Sequence, residues 1–424
     1  MKIAILGRGV SGRSAEALAV ALGYEIYFFE DGTFSGKDSE NELRSCRFAV
    51  VSPGIPPASP LYRMAVASGI EMISELEFAA RHFPGRVLAV TGTNGKTTTT
   101  ELTVHLLCAI GFEAVSVGNI GNGWSELTAE IIRKERPIPF AVVEVSSFQL
   151  ELVQDFAPEA AVILNLASDH LDRYHGSMQE YGMVKGRIFA HVPSENRIFG
   201  ESLLTSPLRK LTGSKAFGNR LVSPDGDTIS YGGRAIVRMS ETRLRGAHNR
   251  ENLLAALELI RCACGDDVLF SEKLREAIKS FSPGEHRLET VAERNGVVFI
   301  NDSKATNPHA VLAALNAVGK EGSVRLLLGG LDKGMDFSEL LGGLHFVRKA
   351  YLQGQCRDKI HAVIKDACEC ECFDAFDEAV YTAAREARPG ETVLLSPACA
   401  SMDMFKNYRE RGERFRLLVS QPER

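Results

Sequence analysis

Long apolar runs are missing from this sequence: none approaches the roughly 18 residues that a membrane-crossing helix needs. Excess basic charge is missing too. The 49 Lys and Arg are outnumbered by 54 Asp and Glu, for a net charge of −5 and a pI near 6.1. Neither nucleic acid nor an anionic membrane surface has an electrostatic footprint to bind, so neither is expected as a partner. There is no low-complexity segment and no internal repeat. Cysteine is sparse and mostly scattered. Nine of them, an odd number, suit free thiols in a reducing compartment rather than a disulfide framework. The exception, Cys368-Glu369-Cys370-Glu371-Cys372, lacks the C-x-x-C spacing of zinc sites. Its alternation places the thiols on one face of an edge or partly buried strand. The opening Met1-Lys2-Ile3-Ala4-Ile5-Leu6-Gly7-Arg8 is too short an apolar run for a secretory signal and passes straight into a strand–turn pattern. The chain therefore reads as a cytoplasmic protein, expected to be monomeric.

What is present is the composition of a globular enzyme, 45% hydrophobic and 24% charged, in 424 residues. That is too long for one core, so two or three domains are expected. The most informative segment is Val90-Thr91-Gly92-Thr93-Asn94-Gly95-Lys96-Thr97-Thr98. Residues 86–90 read as a buried strand and residues 98–108 as a helix stopped by Gly111. Strand, glycine turn, Lys-Thr and helix make a phosphate cradle, with Lys96 reaching the terminal phosphates and Thr97 available to Mg²⁺. Val90 stands where the usual pattern has its first glycine, so Gly92-x-x-Gly95-Lys96-Thr97 is a shortened variant.

Around it the chain alternates strands and helices in three blocks, which predicts doubly wound parallel sheets throughout. The first block ends at the Pro84-Gly85 break. The second holds apolar runs at 86–90, 140–145 and 160–166, then a glycine-rich stretch at 219–240 expected to be antiparallel, then a helix at 249–262. The third begins near Pro283-Gly284, with strands expected at 297–301, 323–328, 349–352 and 392–395, each followed by a helix. The expected domains are 1–84, 85–283 and 284–424.

Ligand groups in such sheets collect at the carboxyl ends of the strands. Glu144 ends the run at 140–145, where a Mg²⁺ bridging ATP phosphates needs a carboxylate; its alternative is a paired structural acid. Ser168-Asp169-His170-Leu171-Asp172-Arg173 follows the next strand, and His170 is a candidate ligand for a second metal. Lys185 comes after it on a helix and reads, from the residues alone, as a solvated helix lysine. In the third block, Asn301-Asp302-Ser303-Lys304-Ala305-Thr306-Asn307, Leu331-Asp332-Lys333-Gly334 and Ser396-Pro-Ala-Cys-Ala-Ser401 follow successive strands. Three anion-ready loops suggest a cleft for an acidic small molecule. At the N-terminus, Gly7-Arg-Gly9-Val10-Ser11-Gly12, with Glu30 and Asp31 about 20 residues on, has the form of a dinucleotide fingerprint. It identifies a diphosphate site and leaves the base open.

Together these strings resemble the Mur ligases, ATP-dependent amide-forming enzymes of peptidoglycan precursor synthesis, from Gly7 to Arg411. Beyond the phosphate loop, Glu144-Val-Ser-Ser-Phe-Gln-Leu-Glu151, Asp169-His-Leu-Asp-Arg-Tyr174, Gly246-Ala-His-Asn249, His286-Arg287, the Asn301–Asn307 string and Ser396–Ser401 with Phe405-Lys-Asn407 are similar to the branch that adds D-glutamate to UDP-N-acetylmuramoyl-L-alanine. The resemblance implies a three-domain α/β fold: a Rossmann-like N-terminal domain for the UDP-sugar, a central P-loop ATPase-like, mostly parallel domain, and a Rossmann-like C-terminal domain for the amino acid.

It implies that Gly92, Thr93, Asn94, Gly95, Lys96, Thr97 and Thr98 hold ATP phosphates, and that Asn249, Arg287 and Asp302 hold its adenosine end. Two Mg²⁺ would be held by Thr97, Glu144, His170 and Lys185, the lysine being carbamylated by CO₂ and so anionic. Lys96, Glu144, His170 and Lys185 would form the catalytic set. Gly9, Val10, Ser11, Glu30, Asp31, Asn119, Ser146 and His170 would contact the UDP-sugar peptide, and Lys304, Thr306, Lys333, Ser401 and Tyr408 the D-glutamate. Two stretches depart from the pattern: Phe29-Glu30-Asp31-Gly32 is more acidic than the Asp-Thr-Arg type, and Tyr408 stands where Phe is usual. Two other readings are a folylpolyglutamate-type ligase, which usually lacks the N-terminal fingerprint, and a UDP-sugar-sensing or scaffolding protein with a decayed site.

Overall fold

The computed structural model describes residues 1–30, 37–121, 123–213 and 220–420. Residue contacts divide the chain into two compact units. The first comprises Met1–Leu166, Gln179–Glu241 and Glu251–Ser280; the second comprises Ala167–Met178, Thr242–Arg250 and Phe281–Arg424.

The first unit carries two parallel sheets. In the N-terminal one the spatial order is Glu25–Phe29, Lys2–Leu6, Phe48–Val51, Glu71–Ser74. Ile3 and Ile5 pack with Leu18 and Phe78 on one face, Ala4 and Leu6 with Val51 and Leu61 on the other. Cover on both faces is why residues 3–6 and Phe48–Val51 are apolar throughout rather than alternating. The second sheet runs Ala114–Gly118, Phe140–Glu144, Val87–Thr91, Ala160–Ile163, Arg197–Phe199. Val90 lies opposite both Glu144 and Val162, which brings three strand ends to one level. A small antiparallel sheet at 221–238 follows, as expected, and then the helix Ala247–Cys264.

Two buried carboxylates tie the N-terminal sheet to its neighbour. Glu75 accepts the amide of Ser125, in the first turn of the helix Trp124–Ile132, and the hydroxyl of Ser14. Burial pushes its carboxyl up, against these hydrogen bonds. Glu77 accepts the successive amides of Gln154, Asp155 and Phe156 and the Arg81 guanidinium.

The sheet of the second unit has the order Glu289–Arg294, Val297–Asn301, Thr392–Leu395, Val324–Gly329, Val347–Gln353, Cys370–Cys372. It corrects the expectation of parallel sheets throughout, because Glu289–Arg294 pairs antiparallel with Val297–Asn301. The cause is local: Asn295 (φ 52°) and Gly296 (φ 75°) form a tight hairpin turn. Cys370–Cys372 is the opposite edge strand, and the thiols of Cys368, Cys370 and Cys372 are partly to fully exposed there. The chain after Thr392–Leu395 runs irregularly through Ser401, and the expected helix begins only at Tyr408.

Candidate active site

The phosphate loop leaves the strand Val87–Thr91 and enters the helix Lys96–Ala109. Gly95 caps that helix at φ 84°, and a Cβ there would lie 2.3 Å from Asn252 Oδ1. Only glycine meets both demands. Asn165 clamps the loop: its carbonyl accepts the Thr93 amide, its side-chain oxygen accepts the Asn94 amide, and its amide nitrogen donates to the Asn94 carbonyl. The Thr93 hydroxyl also lies 3.2 Å from that of buried Tyr181. Lys96 Nζ folds back over the turn, donating to the carbonyls of Gly92 and Thr93 at 2.9 Å each. Thr97 and Thr98 complete the first turn, whose leading amides have no intrahelical acceptor and can receive an anion.

Glu144 ends the neighbouring strand and is 2% exposed. Its Oε1 accepts from Asn119 Nδ2 at 2.8 Å, while buried Oε2 has no hydrogen-bond partner among the described residues. A buried carboxylate oxygen left without a donor fits a hard cation. Ser146 is engaged locally, since its hydroxyl and Gln149 form the capping box of the helix Ser147–Leu150. Lys185 corrects the reading of a solvated helix lysine. It is 1% exposed, donates from Nζ to the Gly92 carbonyl (3.0 Å) and Thr91 Oγ1 (3.4 Å), and lies 4.7 Å from the centre of the Tyr181 ring. Burial at the root of the phosphate loop is a property of the fold that helix periodicity does not reveal.

The N-terminal fingerprint also takes its expected form. Gly7 sits at φ 87° and Gly9 caps the helix Val10–Ala21, which carries Ser11. A Cβ at Gly12 would meet the Gly7 carbonyl. Glu30 ends the described segment, and Asp31 lies outside the described residues.

The second unit holds the other candidates. His170 is a non-glycine residue at φ 54°, with Nε2 3.7 Å from Asp169 Oδ1. Such backbone strain gathers at functional sites. Asn249 is buried and donates to the Arg245 carbonyl. Asp302 accepts from the Leu288 amide and from Ser396 Oγ, and its burial pushes the carboxyl up to about 7. Lys304 Nζ lies 4.0 Å from the centre of the Tyr408 ring. Burial raises the Tyr408 phenol, but Lys304, Arg409 and Arg287 outweigh it and hold the group below its ordinary range. Thr306 stands just before Asn307, which caps the helix Pro308–Val318. Lys333 follows Asp332 in a turn closed by the Gly334 amide. Ser401 is 2% exposed and its hydroxyl has no partner among the described residues.

Asn165, Asn252 and Tyr181 are the contributors that sequence reasoning missed; only the helix shared by Asn249 and Asn252 hinted at one of them. Glu285, His286 and Glu413 bring ligand atoms within 4.8 Å of one another, yet they do not form a metal site. Asn301 accepts the Ser303 amide and donates to the Gly412 carbonyl, which fixes its side-chain amide. It must then donate to His286 Nδ1, so Nε2 carries the ring proton and has no lone pair for a cation.

Residues 90–202 match the family description Mur ligase middle domain, and residues 286–399 match Mur ligase, glutamate ligase domain. The UDP-N-acetylmuramoylalanine--D-glutamate ligase of Aquifex aeolicus (strain VF5) is 37% identical, over 99% of this chain and 98% of that protein. The protein of the same name from Geobacillus kaustophilus (strain HTA426) is 34% identical, over 98% and 96%. Among solved structures, the UDP-N-acetylmuramate-alanine ligase of Thermotoga maritima aligns over 99% of this chain and all of its own (TM-score 0.61, 17% identity). The MurF ligase of the same organism, in complex with ADP, covers 88% of this chain and 94% of its own (TM-score 0.59, 17% identity). At these identities the structures speak for the fold. The sequence relatives speak for descent: the chain belongs to the Mur ligase family, in the branch of the UDP-N-acetylmuramoylalanine--D-glutamate ligases.

Proposed function

We propose that the protein joins D-glutamate to UDP-N-acetylmuramoyl-L-alanine at the expense of ATP, in the synthesis of peptidoglycan precursors. The observation that carries this reading is the phosphate loop with Lys96 at its turn and, one strand away, a buried Glu144 oxygen with no partner among the described residues. Loop and first-turn amides receive the ATP phosphates. Lys96 exchanges two loop carbonyls for phosphate oxygens and neutralises charge as the γ-phosphoryl moves to the terminal carboxylate of the L-alanine. An acyl phosphate results. The D-glutamate amine attacks its carbonyl, and inorganic phosphate leaves. Asn249, Arg287 and Asp302 take the adenosine end, and Lys304, Thr306, Lys333, Ser401 and Tyr408 take D-glutamate. Gly9, Val10, Ser11, Glu30, Asp31, Asn119 and Ser146 serve the UDP-sugar peptide.

Thr97, Glu144, His170 and Lys185 as a carbamate would hold two Mg²⁺. Bound there, the ions would supply positive charge that offsets the charge of the phosphates. We assign three domains at 1–84, 85–283 and 284–424 and a monomer in the cytoplasm. Among the described residues no helix is long and apolar enough to cross a membrane.

Phosphate release by the purified protein with ATP, Mg²⁺ and UDP-N-acetylmuramoyl-L-alanine tests the assignment against D-glutamate, L-glutamate, L-alanine, L-lysine and diaminopimelate. Release with D-glutamate alone is expected. Release with another amino acid instead would reassign the basic loops, and none with any would point to a decayed site.

A further inference from the structure

One guanidinium in the second unit does work that the proposed mechanism leaves unassigned. Arg411, in the helix Tyr408–Ser420, is fully buried. Its Nε donates to Ser303 Oγ at 3.0 Å and its Nη2 to the Ser303 carbonyl at 2.8 Å. Nη1 and Nη2 both reach the Cys399 carbonyl at 3.1 Å. Ser303 lies in the loop after the strand Val297–Asn301, and Cys399 in the loop after its neighbour Thr392–Leu395. A single planar fork therefore joins two strand-end loops. Ser303 is flanked by Asp302 and Lys304, and Cys399 stands two residues before Ser401.

Both loops need holding. Ala398, next to Cys399, is fully buried in the left-handed region at φ 61°, a conformation costing about 1–2 kcal/mol for a residue with a Cβ. Ser303 Oγ in turn donates to the Tyr408 carbonyl, so the brace extends to the start of the helix. A buried charge answered by neutral oxygens is an expensive way to join two loops. Arginine's fork provides what lysine cannot, several donors in one fixed plane.

We propose that Arg411 is a positioning residue for the amino-acid substrate: it fixes the separation of Lys304 from Ser401, and so the fit of an acidic amino acid between an ammonium and a hydroxyl. The proposal rests on the D-glutamate ligase reading. Its test compares Arg411→Lys and Arg411→Met with the unaltered full-length chain, measuring Michaelis constants for D-glutamate and the UDP-sugar peptide together with Tm. Arg411→Lys keeps the charge and loses the fork. It should raise KM for D-glutamate at least about tenfold while that for the UDP-sugar peptide stays within about twofold, since small misplacements of binding groups are costly. Arg411→Met should do so more strongly. A D-glutamate KM in Arg411→Lys within about twofold of the unaltered chain would overturn the proposal. So would a parallel rise in both constants, or loss of the folded protein in Arg411→Lys, either of which would make the arginine a support for the fold alone. Failure of the ligase reading shows separately, as an unaltered protein that releases no phosphate with D-glutamate.

Discussion

Lys185 is a buried lysine at the root of the phosphate loop. On a helix between Val184 and Gly186 nothing marks it as special, and solvent is the ordinary place for a lysine. The fold buries it against the Gly92 carbonyl and Thr91 Oγ1. Conversion to a carbamate would leave Nζ a single N–H and add an anionic carboxylate beside that carbonyl, so the modified group needs a cation to turn toward. We therefore expect a carbamate carbon signal in ¹³C NMR of protein equilibrated with ¹³C-bicarbonate, strengthened by Mg²⁺ and ATP and absent from Lys185→Gln. An identical signal in Lys185→Gln, or none in the unaltered protein, would remove the lysine from the metal-holding set. Glu144 was more legible, because an acid ending an otherwise apolar strand already asks for a partner; the structure adds that one of its oxygens has none.

At the scale of elements, strand, glycine turn and helix around Lys96 could be read from residue order because each residue there answers a backbone demand. Gly95 is the clearest case. Gly95→Ala would place a side chain at φ 84° and against Asn252 Oδ1. The strain alone, about 1–2 kcal/mol, predicts ATP binding weakened by roughly tenfold or more, with UDP-sugar binding unchanged. Calorimetric titration of both ligands checks this, and unaltered ATP affinity would contradict it. The antiparallel strand Glu289–Arg294 was missed although Asn295-Gly296, a strong hairpin signal, sits at its end. The strand is charged and at the sheet edge, so its apolar pattern is too thin to register. The helix expected after Thr392–Leu395 starts late for a different reason. Alternation of strands and helices gives their order, and twelve intervening residues at 396–407 can remain irregular without breaking it.

For the whole molecule, two buried groups of the second unit pull stability in opposite directions with pH. The Asp302 carboxyl, raised by burial to about 7, favours the folded state below its unfolded value near 4, and that contribution is lost as pH rises through about 7. His248 is lowered to about 4, by burial first and His309 second; its contribution is present above the unfolded value of 6.5 and lost as pH falls through about 4. Between these limits each group changes stability by at most about 1.4 kcal/mol per pH unit, with opposite signs. Thermal unfolding of the ligand-free protein from pH 4.5 to 8 should show Asp302→Asn losing less stability with rising pH than the unaltered chain. Equal slopes would remove Asp302 from this balance.

The central claim concerns chemistry: ATP activates the carboxylate of the UDP-sugar peptide, and D-glutamate receives the acyl group. It is tested most directly by supplying UDP-N-acetylmuramoyl-L-alanine with ¹⁸O in its terminal carboxylate and following the label by mass spectrometry. An acyl phosphate requires one ¹⁸O to leave with each released phosphate and the other to remain in the new amide, in step with D-glutamate consumed. Phosphate released without label, or released at the same rate when D-glutamate is withheld, would contradict the account.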